Sequence, residues 1–400
     1  MADKIRLGII GANIHRGWAP RAHLPAVVAS PEFELTAVCT TRMESAEESR
    51  AKFGAKLAFD DWRKMLEHPD IDAVAVVLRV PSHYEPTMAA LDAGKHVYTE
   101  WPLGRTTAEA QEMAELARSR GVRNMVGLQA RAAPPLLYAR DLVASGYVGE
   151  VMSCHVSRIQ GGVLERTSDR SWQRDKEMGA NTLTITCGHT IDALRFVVGD
   201  FSQVSAVVST QAEEWLEVDT GQRVGVTSPD NILVSGRLTN GGVASVHVSS
   251  NPWAGSGYRM EIHGRDGTLV VTSEESPNHD GMRLQGARGG NVLEDLAAPS
   301  KYTFVLEGMP RGAPTMWARC TTSLARGFAL EKIASQTSTP QWSCTAFSIS
   351  SRKHRSRDRS CGYKEECSIH LGISQPLPWV SRVMEAVSKI GTIRCHGVRG

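Results

Sequence analysis

The chain has 400 residues and is too long for one ordinary hydrophobic core, so two or three domains are expected. Hydrophobic residues make up 41% and charged residues 22%, which excludes a wholly disordered or fibrous chain. The formal charge is only +2, which argues against a nucleic-acid or membrane surface spread over the whole molecule. That balance hides a gradient: residues 342–400 hold 10 Lys/Arg against 4 Asp/Glu, so the body carries 35 against 39.

No apolar run approaches the roughly 18 residues that span a bilayer. The N-terminus runs from Met1 directly into a strand-like segment, and no signal peptide is expected. The cysteines at 39, 154, 187 and 320 are widely spaced, as packed or free thiols of a reducing compartment would be. There is no CxxC pair, so no metal site is expected. A cytoplasmic location follows as the expectation.

Residues 1–126 alternate strand and helix signals. Ile5–Ile10 is a short apolar run that stops at Gly11, and helix-like residues follow from Ala22 to Ser30. Phe33–Cys39 alternates as a strand, Glu44–Phe53 is helical, and Trp62–Leu66 is a short amphipathic helix. Ala73–Leu78 has no polar face, as a parallel strand covered on both sides requires. Tyr84–Ala93 is helix, His96–Thr99 strand, Thr107–Arg120 helix and Asn124–Gly127 strand. Such βαβ units are right-handed and predict a doubly wound parallel sheet of Rossmann type.

After residue 127 the pattern changes. Pro134–Ser145 reads as helix, Val151–Arg158 as strand, 161–181 as loop and Thr182–Val198 as helix. Strand-like runs follow at 203–210, 231–237, 242–249, 259–263 and 268–272, separated by turn signals such as Asn240-Gly241-Gly242. Strands joined by tight turns predict an open, mainly antiparallel sheet in a second, α+β domain, so the fold class is α/β overall. Residues 275–301 read as a long loop and Thr315–Ile333 as a last amphipathic helix. The expected domains are therefore 1–126, 127–340 and an anomalous tail, 341–400.

The tail mixes Ser, Arg, Cys, His and Trp without an apolar period. It reads either as a disordered basic tail or as a segment translated out of frame. One permitted back-translation of Gln341–His354 lets the adjacent frame read VELHRLLDIIEKAS, an amphipathic helix pattern. The nucleotide sequence decides between the two.

The chemistry begins at the first strand–turn–helix. Gly11, Asn13, Ile14, Gly17 and Trp18 lie in a turn whose backbone N–H groups can approach a pyrophosphate, with a helix N-terminus behind it. The usual G-x-G-x-x-G is altered: Asn13 replaces the second glycine and the third comes one place late. Asn tolerates unusual backbone angles, so the turn can survive. The second strand ends Cys39-Thr40-Thr41-Arg42 without the acid that binds a ribose 2′-OH. Thr41 and Arg42 therefore suit NADP better than NAD, unless Arg42 is only a surface charge. No G-x-S-x-G, H-E-x-x-H or P-loop is present, so hydrolase and kinase readings lack support.

Gly8-Ile9-Ile10-Gly11, Pro81-Ser82-His83, Ala93-Gly94-Lys95-His96-Val97 and Glu100-Trp101-Pro102-Leu103, in this order, resemble the glucose–fructose oxidoreductase/inositol dehydrogenase (Gfo/Idh/MocA) family. Asn13, Gly17-Trp18, Ser82-His83-Tyr84-Glu85, Leu128-Gln129 and Gly188-His189-Thr190-Ile191-Asp192 resemble its branch with the fungal galactose-pathway co-repressor. The resemblance spans about residues 4–335. It implies an NAD(P)-binding Rossmann domain and a second domain that serves substrate binding and dimerisation. It also implies cofactor contacts at Pro81, His83, Glu100, Trp101 and Gln129, and an acid/base role for His189.

Two departures stand out. The family's usual Lys is Trp101 here, and its usual Asp four residues before the histidine is Ile185. His189 is then the one remaining proton-transfer group, or else a packed histidine. Trp101 either stacks on the nicotinamide or substrate or fills a core. Arg166, Arg170, Trp172, Arg174 and Lys176 either grip an anionic or sugar-like substrate or form a solvated lid. Three functions follow: an NAD(P)-dependent oxidoreductase of a sugar, polyol or derivative; a catalytically weak or inactive NAD(P)-binding regulator with a protein partner; and redox-assisted glycoside cleavage with a retained cofactor. A homodimer or larger homo-oligomer is expected, with no direct nucleic-acid or membrane partner.

Overall fold

A computed structural model describes residues 4–303 and 308–322. The expected tail and the continuation of the last helix to Ile333 lie outside the described residues.

The first half alternates as the apolar pattern requires. Its elements are β1 (Ile5–Ile10), α1 (Leu24–Ala29), β2 (Phe33–Cys39), α2 (Met43–Phe53), β3 (Leu57–Phe59), α3 (Trp62–Glu67), β4 (Ala73–Val76), α4 (Tyr84–Asp92), β5 (His96–Glu100), α5 (Thr107–Arg120) and β6 (Asn124–Gly127). The six strands are all parallel, in the order β3-β2-β1-β4-β5-β6. Order reverses between β1 and β4, which opens a crevice at their carboxyl ends. Apolar side chains cover both faces of the sheet, with Ile9, Val38, Ala75 and Tyr98 on one side and Ile10, Val74, Val76 and Val97 on the other. That two-sided burial is why β4 reads as an unbroken apolar run. The helix at residues 313–322 adds Trp317 and Ala318 to the first of these cores.

The second half holds α6 (Pro134–Ala144), β7 (Val151–Ile159), β8 (Glu165–Arg166), α7 (Gly188–Val198), β9 (Phe201–Ser209), β10 (Glu214–Glu217), β11 (Gln222–Gly225), β12 (Asn231–Leu238) and β13 (Val243–Ser249). It continues with β14 (Gly257–Gly264), β15 (Gly267–Ser273), β16 (Arg283–Arg288) and β17 (Glu294–Asp295). Eight strands form an open sheet in the order β17-β16-β15-β14-β7-β13-β12-β9. Its pairs are antiparallel except β7 with β13. Three short strands form a separate sheet, β11-β10-β8.

Three expectations are corrected. The stretch 161–181 is not plain loop: it contains β8 and two 3₁₀ segments, Ser168–Arg174 and Lys176–Met178. The stretch 275–301 contains β16 and β17, which extend the large sheet. The helix expected from Thr182 begins as a π-helical segment, Thr182–Cys187, capped by Asn181, and becomes α-helical only at Gly188.

Candidate nucleotide crevice and its histidine

The turn after β1 sits at the reversal point of the parallel sheet. Gly11 has φ +91°, and a Cβ there would fall 2.2 Å from the Val77 carbonyl oxygen, so only glycine fits. Gly11 and Ala12 both donate their N–H to the Cys39 carbonyl, at 2.9 and 3.1 Å. Asn13, in place of the second glycine, holds the turn with its side chain. Its Oδ1 accepts the N–H groups of His15 at 2.9 Å and Arg16 at 3.1 Å, which folds the turn back on itself. Gly17, at φ +86°, has open space where a side chain would be. Trp18 leads into a π-helical segment, Ala19–His23, and α1 starts only at Leu24. Helical structure thus begins at Ala19, three residues nearer the turn than the expected start at Ala22, but as a π-helical segment.

At the end of β2 the chain turns inward at Thr40, whose hydroxyl lies 2.6 Å from Ser45 Oγ and donates to the Arg42 carbonyl at 2.8 Å. Thr41 and Arg42 are exposed on the rim, where Arg42 precedes α2. Pro81 is exposed, whereas His83 is buried. The His83 ring nitrogens face the carbonyls of Pro102, at 2.8 Å, and Leu78, at 3.0 Å. Burial lowers its pKa in spite of these two acceptors. His83 thus braces the loop after β4 against the loop after β5, with its ring engaged by the protein.

Glu100 and Gln129 meet below the crevice. Glu100 accepts from His23 Nε2 at 2.7 Å, from the Tyr98 hydroxyl at 3.2 Å and from Gln129 Nε2 at 3.0 Å. His23 is fully buried, and its ring packs 5.2 Å from the Trp317 ring. Burial, with the Glu100 charge second, holds the Tyr98 hydroxyl well above its usual range. The network ties the approach to α1, the ends of β5 and β6 and the last described helix into one unit.

Trp101 crosses to the second half. Its indole N–H donates to the Thr184 carbonyl at 2.9 Å, and its ring lies 6.2 Å from the His189 ring at 60°. The bond to Pro102 is cis. His189 sits in the first turn of α7 and is 7% exposed. Its Nδ1 is buried with no partner among the described residues. Burial first, then the charges of Arg158 and His279, push its pKa down to about 3. Arg158, on β7, is buried too; it donates to Gln160 Oε1 at 3.1 Å and to the Thr186 carbonyl at 3.3 Å. No carboxylate pairs with it among the described residues, and burial lowers its pKa to about 10. Tyr258, opposite Arg158 on β14, has a buried hydroxyl without a partner among the described residues.

Around this centre the two halves touch at the rim. Arg79 Nη2 donates to the Asp169 carbonyl at 3.0 Å and its guanidinium lies 5.2 Å from the Trp172 ring. Trp18 stacks on His279 at 6.1 Å. Arg131 forms a two-nitrogen pair with the buried Asp192, at 2.9 and 2.6 Å, linking the turn after β6 to α7. The structure thus brings Trp101 and His189 together, while Gly11, Asn13, Ile14 and Trp18 follow the carboxyl end of β1, and Thr41 and Arg42 that of β2. It directs Glu100 and Gln129 toward each other instead. Sequence reasoning missed Arg158, because an arginine in an alternating strand reads as a surface residue.

Residues 5–128 match the model of an oxidoreductase family with an NAD-binding Rossmann fold, and residues 134–273 match that of the Gal80p C-terminal domain. The galactose/lactose metabolism regulatory protein GAL80 of Saccharomyces cerevisiae is 31% identical over 297 residues, 68% of this chain and 68% of its own length. Levoglucosan dehydrogenase of Pseudarthrobacter phenanthrenivorans is 29% identical over 294 residues, 68% of this chain and 74% of its own. A solved structure of a levoglucosan dehydrogenase in complex with NADH and levoglucosan superposes with a TM-score of 0.70 at 25% identity, over 81% of this chain and 91% of that one. The glycine that only a close-packed turn requires, the parallel sheet around it and these likenesses lead to one assignment: the chain belongs to the Gfo/Idh/MocA oxidoreductase family and carries a Gal80p-type C-terminal half.

Proposed function

We propose that the chain is an NAD(P)-dependent oxidoreductase acting on a sugar, polyol or related derivative. The observation that carries this reading is His189: a neutral imidazole whose buried Nδ1 has no partner among the described residues, set against Trp101. The residues present fit a dinucleotide, because the glycine turn follows β1 at the switch point of the parallel sheet, and Gly17 faces open space. Gly11, Asn13, Ile14 and Trp18 would hold its diphosphate. Thr41 and Arg42 would meet the adenosine ribose, with Arg42 favouring a 2′-phosphate. When bound, the nicotinamide supplies a hydride acceptor. Oxidising a carbinol also releases a proton, and His189 is placed to take it. With Trp101 where the family has Lys, no cation from that loop polarises the hydroxyl. Burial first, and then the charge of Arg158, keep the imidazole uncharged and so free to accept a proton.

A second reading, a regulator that binds NAD(P) and a protein partner, is favoured by the same His189: a group with a pKa of about 3 is a weak base near neutrality. The likeness to GAL80 supports it equally. Titration of the intrinsic fluorescence of the 9 tryptophans with NADH and NADPH, followed by a sugar and polyol panel, separates the readings. Turnover that disappears in His189→Ala supports the enzyme. Tight binding without turnover anywhere in the panel, and no effect of His189→Ala, supports the regulator.

The open face of the large sheet exposes Met152, Val207, Leu233 and Val243 on neighbouring strands. This supports a homodimer through that face, which sedimentation would show as a doubled mass. No described helix is long and apolar enough to cross a membrane. The four described cysteines are free and buried, which supports a cytoplasmic location.

A further inference from the structure

The small sheet β11-β10-β8 carries a feature that neither reading uses. A cavity of about 330 Å³ opens beside it, lined by Gly162, Glu165, Arg166, Thr167, Arg170 and Val218. Two guanidinium groups converge there on a single neutral acceptor. Arg166 Nη1 donates to Gln173 Oε1 at 2.7 Å, and Arg170 Nη2 donates to the same oxygen at 3.5 Å. Arg166 Nε is buried with no acceptor among the described residues. Its guanidinium lies 4.5 Å from the Trp215 ring, which fixes its plane and covers one face.

Neither arginine has an ion-pair partner among the described residues, although carboxylates are near. Asp219 is occupied by the Ser168 N–H and hydroxyl, Asp169 by the Thr167 hydroxyl, and Glu217 by the Thr220 hydroxyl. Glu165, the one acid on the lining, is exposed and pairs with neither. Burial first and then the like charge of Arg170 pull the Arg166 pKa down to about 10. Two adjacent cations that share one amide oxygen have more donors than acceptors and more charge than counter-charge.

We propose that Arg166 and Arg170 form an anion site for a phosphoryl group, separate from the dinucleotide turn. A dianion neutralises both cations, and a tetrahedral oxyanion offers several acceptors to two planar donor forks. The Thr167 hydroxyl and the open cavity leave room for the rest of a small phosphate monoester.

The test is calorimetric titration of the full chain with inorganic phosphate and with glycerol phosphate, against chloride at matched ionic strength. Saturable phosphate binding is expected, weakened at least tenfold in Arg170→Gln, an exposed position whose change leaves the fold intact. Arg166→Lys, which keeps the charge but loses the fork, is expected to weaken it several-fold. Glu165→Gln, which removes the nearby acid, is expected to hold or strengthen it. Glycerol phosphate binding comparably to phosphate identifies the monoester class, and inorganic phosphate alone identifies the free ion. The proposal is overturned when phosphate binds no better than chloride, or when Arg170→Gln leaves phosphate binding unchanged. The latter result would place the bound anion at the Gly11 turn. Because NADH titration is a separate readout, failure of the nucleotide reading and failure of this site are told apart.

Discussion

Gly188 and the indole of Trp101 are in such close contact that a Cβ at residue 188 would lie 2.6 Å from the ring. The glycine opens α7 and the tryptophan begins the loop after β5, so one missing methyl group lets the Rossmann half touch the helix that carries His189. Gly188→Ala is expected to push the indole aside and cost about 1–3 kcal/mol, as overpacking does. The thermal midpoint should fall, and the tryptophan emission should shift as its hydrogen bond to Thr184 is lost. In a Trp101→Ala background the same substitution should cost much less, which a double-mutant cycle measures.

Gly11→Ala is the corresponding test of the turn. The new methyl group would meet the Val77 carbonyl at 2.2 Å in a backbone region that L-residues disfavour. A loss of at least tenfold in NADH affinity is expected by fluorescence titration, with a lower thermal midpoint. Unchanged affinity would remove the turn from the binding site.

The low pKa of His189 sets a direction for acid sensitivity. Its folded value lies below the usual histidine value, so the unfolded chain binds more protons between about pH 3 and the usual value near 6.5. The stability this contributes is present above pH 6.5 and is lost as pH falls toward 3. His83 is lowered in the same sense. Denaturant unfolding at a series of pH values should show a limiting slope of about 1.4 kcal/mol per pH unit from His189, absent in His189→Asn.

Arg131 and Asp192 give a fourth test. Arg131→Ala leaves a carboxylate that is 8% exposed without its cation. Because the arginine itself is 39% exposed, a cost of about 2 kcal/mol is expected rather than the larger figure for a fully buried pair. Adding Asp192→Asn should recover part of it. Equal stability of Arg131→Ala and the parent would show that the pair contributes nothing net.

The legible parts of the fold are those whose apolar period is long and regular. Phe33–Cys39, Thr107–Arg120 and Asn124–Gly127 have the bounds expected from the pattern alone. Strands β10 and β11 have only four residues each and pair mainly with one another, so no extended alternation announces them. Strand β16 contains Gly286, which a sequence pattern assigns to loop, yet there the glycine admits Leu296 and Tyr147 against the sheet. At the site, Gly11 and Asn13 were legible because they belong to one local turn. The pairing of His23 with Glu100, 77 residues apart, was not, since nothing local marks it. His189 was identified by type and place, but its burial against Trp101 was not legible, since that residue reaches it from another element.

Strand β7 stands at the centre of the large sheet, and both its neighbours come from far along the chain. His155 bonds Ser245, 90 residues away, and Ile159 faces Gly257 on the other side. The parallel sheet, by contrast, closes its last pair at Gly127. During synthesis on the ribosome the strands of the parallel sheet can therefore pair early, while the strand that bears Arg158 waits for about 90 further residues to emerge. An interrupted polypeptide ending near residue 240 would leave that strand with two bare edges, open to pairing with another nascent chain.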